Sequence, residues 1–490
     1  MTKQLAEKIR FCLKCINELN ARERNGVHYT ADLEEEIGNG MMGHIFNITG
    51  PHLTEEAVMK VISLNDYFAE NNIKTSGNNH EGYYKKMLEY CHSEMELLKS
   101  LNESPYITKY IDGYVFEEEN VFIIIMKKYE CLENLVINQT ITEANIIQLG
   151  KNILGALIEL KKRHIIHRDI KPANIYCEVS EEGNHKFVLG DFGSARKLFA
   201  SGFGQVTVIG TEQYMAPEIR YGYNINYEKD TSDLFLLAAT MYTILSGGDT
   251  VNTYTREGKV PKLNCKNKQL ADIVMKALSY NPQDRYSNPE EMLYALEQLN
   301  PLDSCRDVIH FNKYVYAAKN KIEMGEIEDA VNLLKIGIKS ENKRQTACKR
   351  LYFYLRLRQG KLSKSDSKEL KVLADDYIDP AAQCLYGVHL CEDQGDREEG
   401  EKYIKKSAEN GSVIGNFLYG RILYREGRRE GIKYCENAAR EGLVPAICYL
   451  KKIRRKNAGY IPDDKLLRLM DGTDSESYEL DRAAFYVPYL

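Results

Sequence analysis

The nine residues HRDIKPANI, at positions 167–175, place a histidine, an arginine, an aspartate, a lysine and an asparagine in one short stretch. Before this stretch, apolar residues recur with roughly helical spacing between positions 146 and 160, and Thr142 is a suitable N-cap for that helix. The polar cluster is therefore predicted to lie in a loop that follows a buried helix. Loops held by a rigid scaffold can aim side chains at a ligand, so this stretch is the first candidate for a functional site.

The chain has 490 residues, a formal net charge of −5 and a pI near 6.1. Its length allows about two to four domains. The slight negative charge gives no overall basic field, which argues against nucleic acid as the main partner. The apolar run 234–245 is shorter than the roughly 20 residues that a membrane span needs, and the Lys-rich start lacks a signal-type apolar segment. We therefore expect a soluble cytoplasmic protein without a membrane partner.

Twelve cysteines are scattered along this large chain, which fits reduced cytosolic thiols better than a disulfide framework. Cys12 and Cys15 form one C-x-x-C. Since no second pair accompanies them, two thiols on a helix are the preferred interpretation and a metal site is the alternative.

The pattern changes along the chain. Residues 1–30 read as an N-terminal helical extension of unassigned role. Residues from about 31 to 127 mix strand-like runs with a helix, and residues from about 128 to 300 are mainly helical, which predicts an α+β lobe followed by an α lobe. A short connection that contains Pro301 then leads to helix pairs over residues 307–490.

The last region contains an internal repeat. AQCLYGVHL at 382–390 returns as GNFLYGRIL at 415–423, so that Gly387 and Gly420 stand 33 residues apart. Such a period indicates stacked helical hairpins, and small residues at the recurring position let helices approach closely. These copies resemble the Sel-one-like variant of tetratricopeptide repeats, and a segment from Ala317 looks like an earlier hairpin. A plain helical domain without repeats is the alternative.

A glycine-rich segment, EIGNGMMGHIF at 36–46, lies between two apolar strand-like runs. Glycines let a backbone turn sharply and lie close to phosphates, but most such segments are ordinary turns. A dinucleotide-binding loop would be followed by a helix, whereas HIFNI after Gly43 looks like a strand. The segment is therefore predicted to be a hairpin.

Lys60 stands in the strand-like run AVMKVI, and Glu94 falls on the apolar stripe of a helix predicted over about 84–101. A carboxylate on an apolar face needs a partner, because an unpaired buried charge is costly. Lys60 is the natural partner. The alternative is a lysine that extends to solvent and a glutamate at the edge of the stripe.

Four more motifs follow in order: VLGDFGSAR at 188–196, YMAPE at 214–218, the apolar helix SDLFLLAATMYTILSG at 232–247, and NPQDRY at 281–286. With the segments above, they resemble the eukaryotic-type protein kinase family over roughly residues 31–297. The resemblance implies a bilobal α+β protein kinase fold, followed here by an all-α helical-repeat domain. Lys171 within DIKPAN is similar to serine/threonine kinases, and GTEQYMAPE looks like bacterial members.

The resemblance also implies the site. Asp169 would accept or orient the proton of the substrate hydroxyl, and Lys171 would offset charge on the transferred phosphoryl group. Asn174 and Asp191 would hold Mg2+ against the ATP phosphates, with Mn2+ as an alternative metal, while Glu94 aims Lys60 at those phosphates. The implied nucleotide-contacting positions are Gly38, Gly40, Gly43, Ile45, Val58, Lys60, Met126, Lys127, Tyr129 and Tyr176.

Supporting and regulatory positions follow from the same resemblance. Glu218 and Arg285 are expected to form a structural ion pair, and Asp233 to brace the catalytic loop. Arg168 beside Asp169 suggests control by phosphorylation between residues 193 and 216, because an arginine there can pair with a phosphate. Thr207 is the first candidate for that phosphate. Ser201 is the second, and no modification is the alternative.

The chain departs from the family at Val58 and Tyr176, which are bulkier than usual beside the expected adenine slot, and in a polar insertion within 63–90. Added bulk either narrows the slot or is absorbed by repacking. We expect a serine/threonine kinase that acts on protein substrates and binds a protein or peptide through its repeats. A pseudokinase-like scaffold is the main alternative, and a small-molecule phosphotransferase is a third.

Overall fold

A computed structural model of the chain describes residues 3–23, 27–40, 43–64, 79–180, 183–197, 214–220, 230–248, 251, 263, 265–299, 308–309, 311–339, 345–440, 443–457, 459–463 and 466–467. The chain divides into two compact units, one made of Met1–Leu135 and Gln148–Ile209 and the other of Val136–Ile147 and Gly210–Leu490. These limits differ from the predicted lobes and repeat domain, which remain predictions.

The first unit combines a five-stranded sheet with helices and shorter strands. Its helices are α1 (Lys3–Glu23), α2 (Asn79–Ser100), and most of α3 (Leu132–Ile137) and of α4 (Glu143–Lys162). Its strands are β1 (Thr30–Gly40), β2 (Gly43–Thr49), β3 (Ala57–Ser63), β4 (Tyr110–Phe116), β5 (Val121–Lys127), β6 (Glu130–Cys131), β7 (Ile165–Ile166), β8 (Ile175–Val179), β9 (His185–Leu189) and β10 (Arg196–Lys197). Helix α4 follows the predicted cap, because the amide of Asn145 donates to the hydroxyl of Thr142 at 3.2 Å.

The main sheet is antiparallel, with strand order β1-β2-β3-β5-β4. The central strand β3 is buried along its whole length, whereas β2 alternates between buried and half-buried residues. Helix α1 packs against this sheet, and its Leu5, Ile9 and Ile16 share a core cluster with Phe46 and Met59. The N-terminal extension is thus part of the hydrophobic core of this unit.

Strands β1 and β2 form the predicted hairpin, with Gly38 opposite Ile45 and Gly40 opposite Gly43. Gly43 has φ of +151°, and a Cβ there would lie 2.5 Å from the carbonyl oxygen of Val61. Only glycine fits this position, because both its backbone conformation and its close approach to β3 exclude a side chain.

Helices make up most of the described part of the second unit. They are α5 (Pro217–Arg220), α6 (Asp230–Leu245), α7 (Lys268–Ala277), α8 (Pro289–Glu297), α9 (Lys313–Glu323), α10 (Ile327–Lys339), α11 (Gln345–Arg358), α12 (Lys364–Asp375), α13 (Pro380–Glu392), α14 (Arg397–Glu409), α15 (Val413–Arg425), α16 (Gly431–Arg440) and α17 (Val444–Lys456). From α9 to α17, each helix contacts the next helix in the chain. In addition, α9 contacts α11, α11 contacts α13, and α13 contacts α15.

The recurring glycines lie where two helices meet. A Cβ on Gly387 of α13 would approach the carbonyl oxygen of Gly400 in α14 to 2.7 Å, and a Cβ on Gly420 of α15 would approach that of Gly431 in α16 to 2.6 Å. The predicted close approach of helices at these glycines is confirmed. Within the described segments, no helix combines the length and the apolar character that a membrane crossing requires.

Candidate active site

Lys60 lies at the centre of β3 and reaches two carboxylates. Its ammonium donates to Oε1 of Glu94 at 2.8 Å and to Oδ1 of Asp191 at 3.0 Å. Glu94 comes from α2, which begins at Asn79 rather than near residue 84, because its first turns are polar and gave no apolar periodicity. The predicted pairing of Lys60 with Glu94 is confirmed, whereas the second contact, to Asp191, was not predicted.

Burial and charge oppose each other in this cluster. Burial alone lowers the pKa of Lys60, but Asp191 and Glu94 raise it above its ordinary value. Burial raises the pKa of Glu94, against the opposing effect of Lys60. Burial also acts to raise the pKa of Asp191, but the nearby Lys60, Lys171 and His167 outweigh it and hold that pKa below its usual range. Lys60 is therefore a permanent cation and Asp191 a permanent anion at neutral pH.

The opening motif forms a second polar cluster. The side-chain amide of Asn174 donates to the carboxylate and to the backbone carbonyl of Asp169, both at 2.8 Å. Lys171 forms an ion pair with the same carboxylate at 2.9 Å. A short 3-10 turn, Pro172–Asn174, returns Asn174 toward Asp169. Asp169 is thus fixed in position, with its side chain 10% exposed.

Backbone contacts connect the two clusters. The amide of Gly190 donates to the carbonyl of Asn174 at 3.0 Å, and a ring nitrogen of His167 lies 3.1 Å from the carbonyl oxygen of Gly190. His167 also packs edge-to-face on Phe192, with ring centroids 4.9 Å apart. These contacts place Asp191 next to the loop that carries Asp169. No signal in the sequence pointed to this role of His167.

Two residues of the motifs have left-handed backbone conformations without being glycine. Arg168 has φ of 74° and Asp191 has φ of 57°. Such conformations cost about 1–3 kcal/mol each and persist only where surrounding contacts impose them. Both lie beside the candidate chemical groups, which is where strained residues concentrate.

The positions expected to flank adenine lie in two sheets, Val58 on β3 of the five-stranded sheet and Tyr176 on β8 of a three-stranded sheet. Val58, which is buried, pairs with Met126 across β3 and β5, and Ile45 pairs with Lys60 across β2 and β3. Tyr176 pairs with Cys131, and burial raises the pKa of its hydroxyl. A Cβ on Gly190 would lie 2.8 Å from the ring of Tyr176, so this tyrosine packs directly beside the residue that precedes Asp191.

The ammonium of Lys127 is paired with two carboxylates. It donates to Glu178 at 2.8 Å and to Glu55 at 3.0 Å, and it lies 5.6 Å from the ring centroid of Tyr129. The side chain of Lys127 is thus part of a surface ion-pair network, and only its backbone remains as a candidate for contact with adenine.

In the second unit, the predicted ion pair between Glu218 and Arg285 is confirmed, with two contacts of 2.7 Å. Asp233 is buried on α6. Thr207 and Ser201 lie outside the described residues, as do residues 65–78 of the predicted insertion.

The donor groups suit a hard divalent cation. Mg2+ takes oxygen ligands, and it is commonly held by one or two carboxylates together with substrate phosphates rather than by a complete protein cage. Asp191 offers a carboxylate that is 30% exposed, and Asn174 offers its amide oxygen, since its amide nitrogen already donates to Asp169. Within the described ranges, no three His, Cys, Asp or Glu side chains form a metal-binding group. Asp191 and Asn174 therefore fit a metal that arrives with phosphates.

Comparisons with known proteins point to one family. The chain is 26% identical over 226 residues to the serine/threonine-protein kinase cds1 of Schizosaccharomyces pombe, covering 42% of this chain and 48% of that protein. It is 27% identical over 241 residues to the cell cycle serine/threonine-protein kinase CDC5/MSD2 of Saccharomyces cerevisiae, covering 47% of this chain and 33% of that protein. It is 26% identical over 282 residues to a probable serine/threonine-protein kinase of Clostridium perfringens, covering 55% of this chain and 38% of that protein.

The chain spans about half or less of the length of these curated relatives. They come from yeasts and from a bacterium, so a bacterial origin of the chain remains a prediction. The model of the family described as "Protein kinase domain" matches residues 31–299, which is more than half of the chain. By this match, the chain belongs to the protein kinase domain family.

Proposed function

We propose that this chain is an ATP-dependent serine/threonine protein kinase, which transfers the γ-phosphoryl group of ATP to hydroxyl groups of protein substrates. The observation that carries the proposal is the double contact of Lys60 with Glu94 and Asp191. Phosphoryl transfer depends mainly on positioning and charge neutralisation, and this contact fixes a cation and an anion within one cluster.

The chemistry assigns each side chain a task. Lys60, oriented by Glu94, binds phosphate oxygens of the nucleotide. Asp169 accepts the proton of the substrate hydroxyl as that oxygen attacks, and Lys171 offsets the charge of the phosphoryl group in transit. Asn174 keeps the carboxylate of Asp169 in one orientation. Asp191 and Asn174 would hold Mg2+, which would neutralise phosphate charge when bound, and Mn2+ has the same preference for oxygen donors.

The helical region is proposed to bind protein or peptide partners as a tetratricopeptide-like or Sel-one-like array. The recurring contacts of Gly387 and Gly420 support this proposal, because stacked hairpins build extended surfaces that suit protein ligands. Control by phosphorylation at Thr207, read by Arg168, is a further part of the proposal. Mapping of phosphorylated sites after incubation with Mg-ATP tests it directly.

A second candidate, a kinase-like scaffold, is favoured by one observation. Tyr176 packs against Gly190 beside the cluster, and Val58 adds bulk at a buried position on β3. If the two side chains occupy the adenine slot, the chain binds no nucleotide. Thermal unfolding with and without Mg-ATP separates the candidates, because a ligand that binds the folded state raises the melting temperature.

The decisive experiment measures phosphate transfer by the purified chain. We expect wild type with Mg-ATP to label itself or a general protein acceptor, and Asp169→Asn to reduce the rate by about 10²–10⁴-fold, the range for loss of a general base. Asp272→Asn, an exposed aspartate on α7, is the matched control and should retain the wild-type rate. Equal rates for wild type and Asp169→Asn would exclude the proposed kinase activity.

A further inference from the structure

A hydrogen bond joins α9 to the YMAPE motif. Helix α9 is the first described helix after residues 31–299, which match the kinase-domain model. The hydroxyl of Tyr316, on α9, lies 3.0 Å from the hydroxyl of Tyr214, the first residue of that motif. The two side chains are 7% and 2% exposed. Because both residues are buried, this bond is shielded from the competition with water that weakens hydrogen bonds at the surface.

Helix α9 is fixed to the loop after α6 by its own cap. The amide of Asn312 donates to the carbonyl of Gly247 at 3.0 Å, while its side chain accepts from the amide of Val315 and so caps α9. Gly248 has φ of +119°, and a Cβ there would lie 3.4 Å from the Cβ of Tyr316. The start of α9 is therefore held at the position from which Tyr316 reaches Tyr214.

The backbone beyond Tyr214 is held at its other end by a second anchor. Ala216 is fully buried, and its carbonyl accepts from the amide of Ile219 at 3.1 Å. Glu218 is fixed by Arg285. Arg285 thus anchors one end of residues 214–218, and Tyr316, which lies outside the family match of 31–299, anchors the other.

We propose that Tyr316 is a positioning residue for the kinase reaction. It fixes Tyr214 and so sets the conformation of the end of the segment between the DFG and APE motifs, which in protein kinases controls activity. The helical region thereby acts on the kinase domain through α9. This inference rests on the proposed kinase function for its effect on catalysis, but the contact itself is testable without activity.

The first test measures hydrogen–deuterium exchange in peptides that cover residues 214–220. We expect Tyr316→Phe to raise exchange at the amide of Ile219 about fivefold, the ratio expected for loss of one hydrogen bond. Tyr403→Phe is the matched control, because it removes a buried tyrosine hydroxyl that bonds to Asp375, within the helical region. Unchanged exchange in Tyr316→Phe, or an equal rise in Tyr403→Phe, would overturn the inference.

A double-mutant cycle assigns the effect to the Tyr214–Tyr316 bond. Once either hydroxyl is gone this bond cannot form, so Tyr214→Phe combined with Tyr316→Phe should raise exchange no further than the larger single change. Effects that multiply in the double variant would show that the two tyrosines act independently, which contradicts the inference.

Kinetics then separates positioning from general damage. Tyr316→Phe should lower kcat/KM for a protein substrate about fivefold and leave the KM for ATP unchanged, whereas Tyr403→Phe should change neither value. If wild type transfers phosphate and Tyr316→Phe matches it, the inference fails and the proposed function stands. If wild type is inactive, the proposed function fails, and the exchange experiment alone decides whether Tyr316 fixes Tyr214.

Discussion

Lys60 and Arg285 are both cations buried beside a glutamate, yet their surroundings differ in how completely the polar atoms are satisfied. Lys60 shares its charge between Glu94 and Asp191, and Asp191 stays 30% exposed. Arg285 and Glu218 have side chains that are 0% and 7% exposed. The first cluster keeps anionic charge accessible to a ligand, whereas the second is closed.

Arg285 uses every donor that it has. Its five N–H groups make two bonds to the carboxylate of Glu218 and three to the backbone carbonyls of Thr231, Ser279 and Tyr280. Its guanidinium also lies 4.8 Å from the ring centroid of Phe235. Complete satisfaction of this kind serves stability, whereas the shared ammonium of Lys60 is proposed to serve binding of the nucleotide. We therefore expect substitution of Arg285 to reduce mainly stability, and substitution of Lys60 to reduce mainly phosphate transfer.

Arg285→Ala should produce the largest loss of stability. It leaves the carboxylate of Glu218 buried without its cation, and breaking a buried ion pair costs about 3–5 kcal/mol. Arg440→Ala is the matched control, because its pair with Asp463 is exposed and such pairs contribute about 0–1 kcal/mol. Urea denaturation measures both free energies of unfolding. An Arg285→Ala loss no larger than that of Arg440→Ala would remove the distinction between the two clusters.

Both pairings with glutamate could be predicted from the sequence, but for different reasons. Glu94 sits on an apolar helical stripe, so a buried partner was required, and Lys60 on a buried strand was available to it. Glu218 and Arg285 lie in separate motifs, and only the resemblance to protein kinases joined them. Burial can be read from local periodicity, whereas a partner distant in sequence cannot be.

The contacts that were missed have the same origin. The sequence predicted a helical N-terminal extension but not that α1 packs on the sheet beside Phe46 and Met59. Likewise, Tyr316 stands on a helix whose pattern reveals an apolar side without revealing that Tyr214 lies against it. Such contacts depend on how elements pack, and one sequence contains no spacing that encodes them.

Lys60→Met should abolish phosphate transfer and make stability fall more steeply with rising pH than it does in wild type. Without the ammonium, the pKa of buried Glu94 rises further, since Lys60 is what lowers it. A carboxyl whose folded pKa exceeds its unfolded value gives stability that is present at low pH and lost as pH rises. In wild type, Asp191 with its lowered pKa has the opposite sign and loses stability as pH falls.

The free energy of unfolding of wild type minus that of Lys60→Met should therefore increase between about pH 4 and pH 8. This range lies above the ordinary carboxyl pKa. Urea denaturation across this range measures it. Lys128→Met, which removes a lysine from an exposed pair with Glu56, should show no such trend. A constant difference for Lys60→Met would mean that Glu94 and Asp191 do not depend on this ammonium.

Ser232→Ala should produce the smallest of these effects and tests how closed the Arg285 cluster is. The hydroxyl of Ser232 is fully buried and donates to Oε1 of Glu218 at 2.7 Å. Because Arg285 continues to neutralise this carboxylate, we expect a loss of about 1–2 kcal/mol, toward the lower end of the about 1.5–3 kcal/mol typical of hydrogen bonds to charged groups. Ser246→Ala, whose hydroxyl donates to the neutral carbonyl of Thr243 at 3.2 Å, should cost about 0.5 kcal/mol. Equal losses would mean that Arg285 alone satisfies Glu218, while a loss as large as that of Arg285→Ala would mean that the serine is an essential member of the pair.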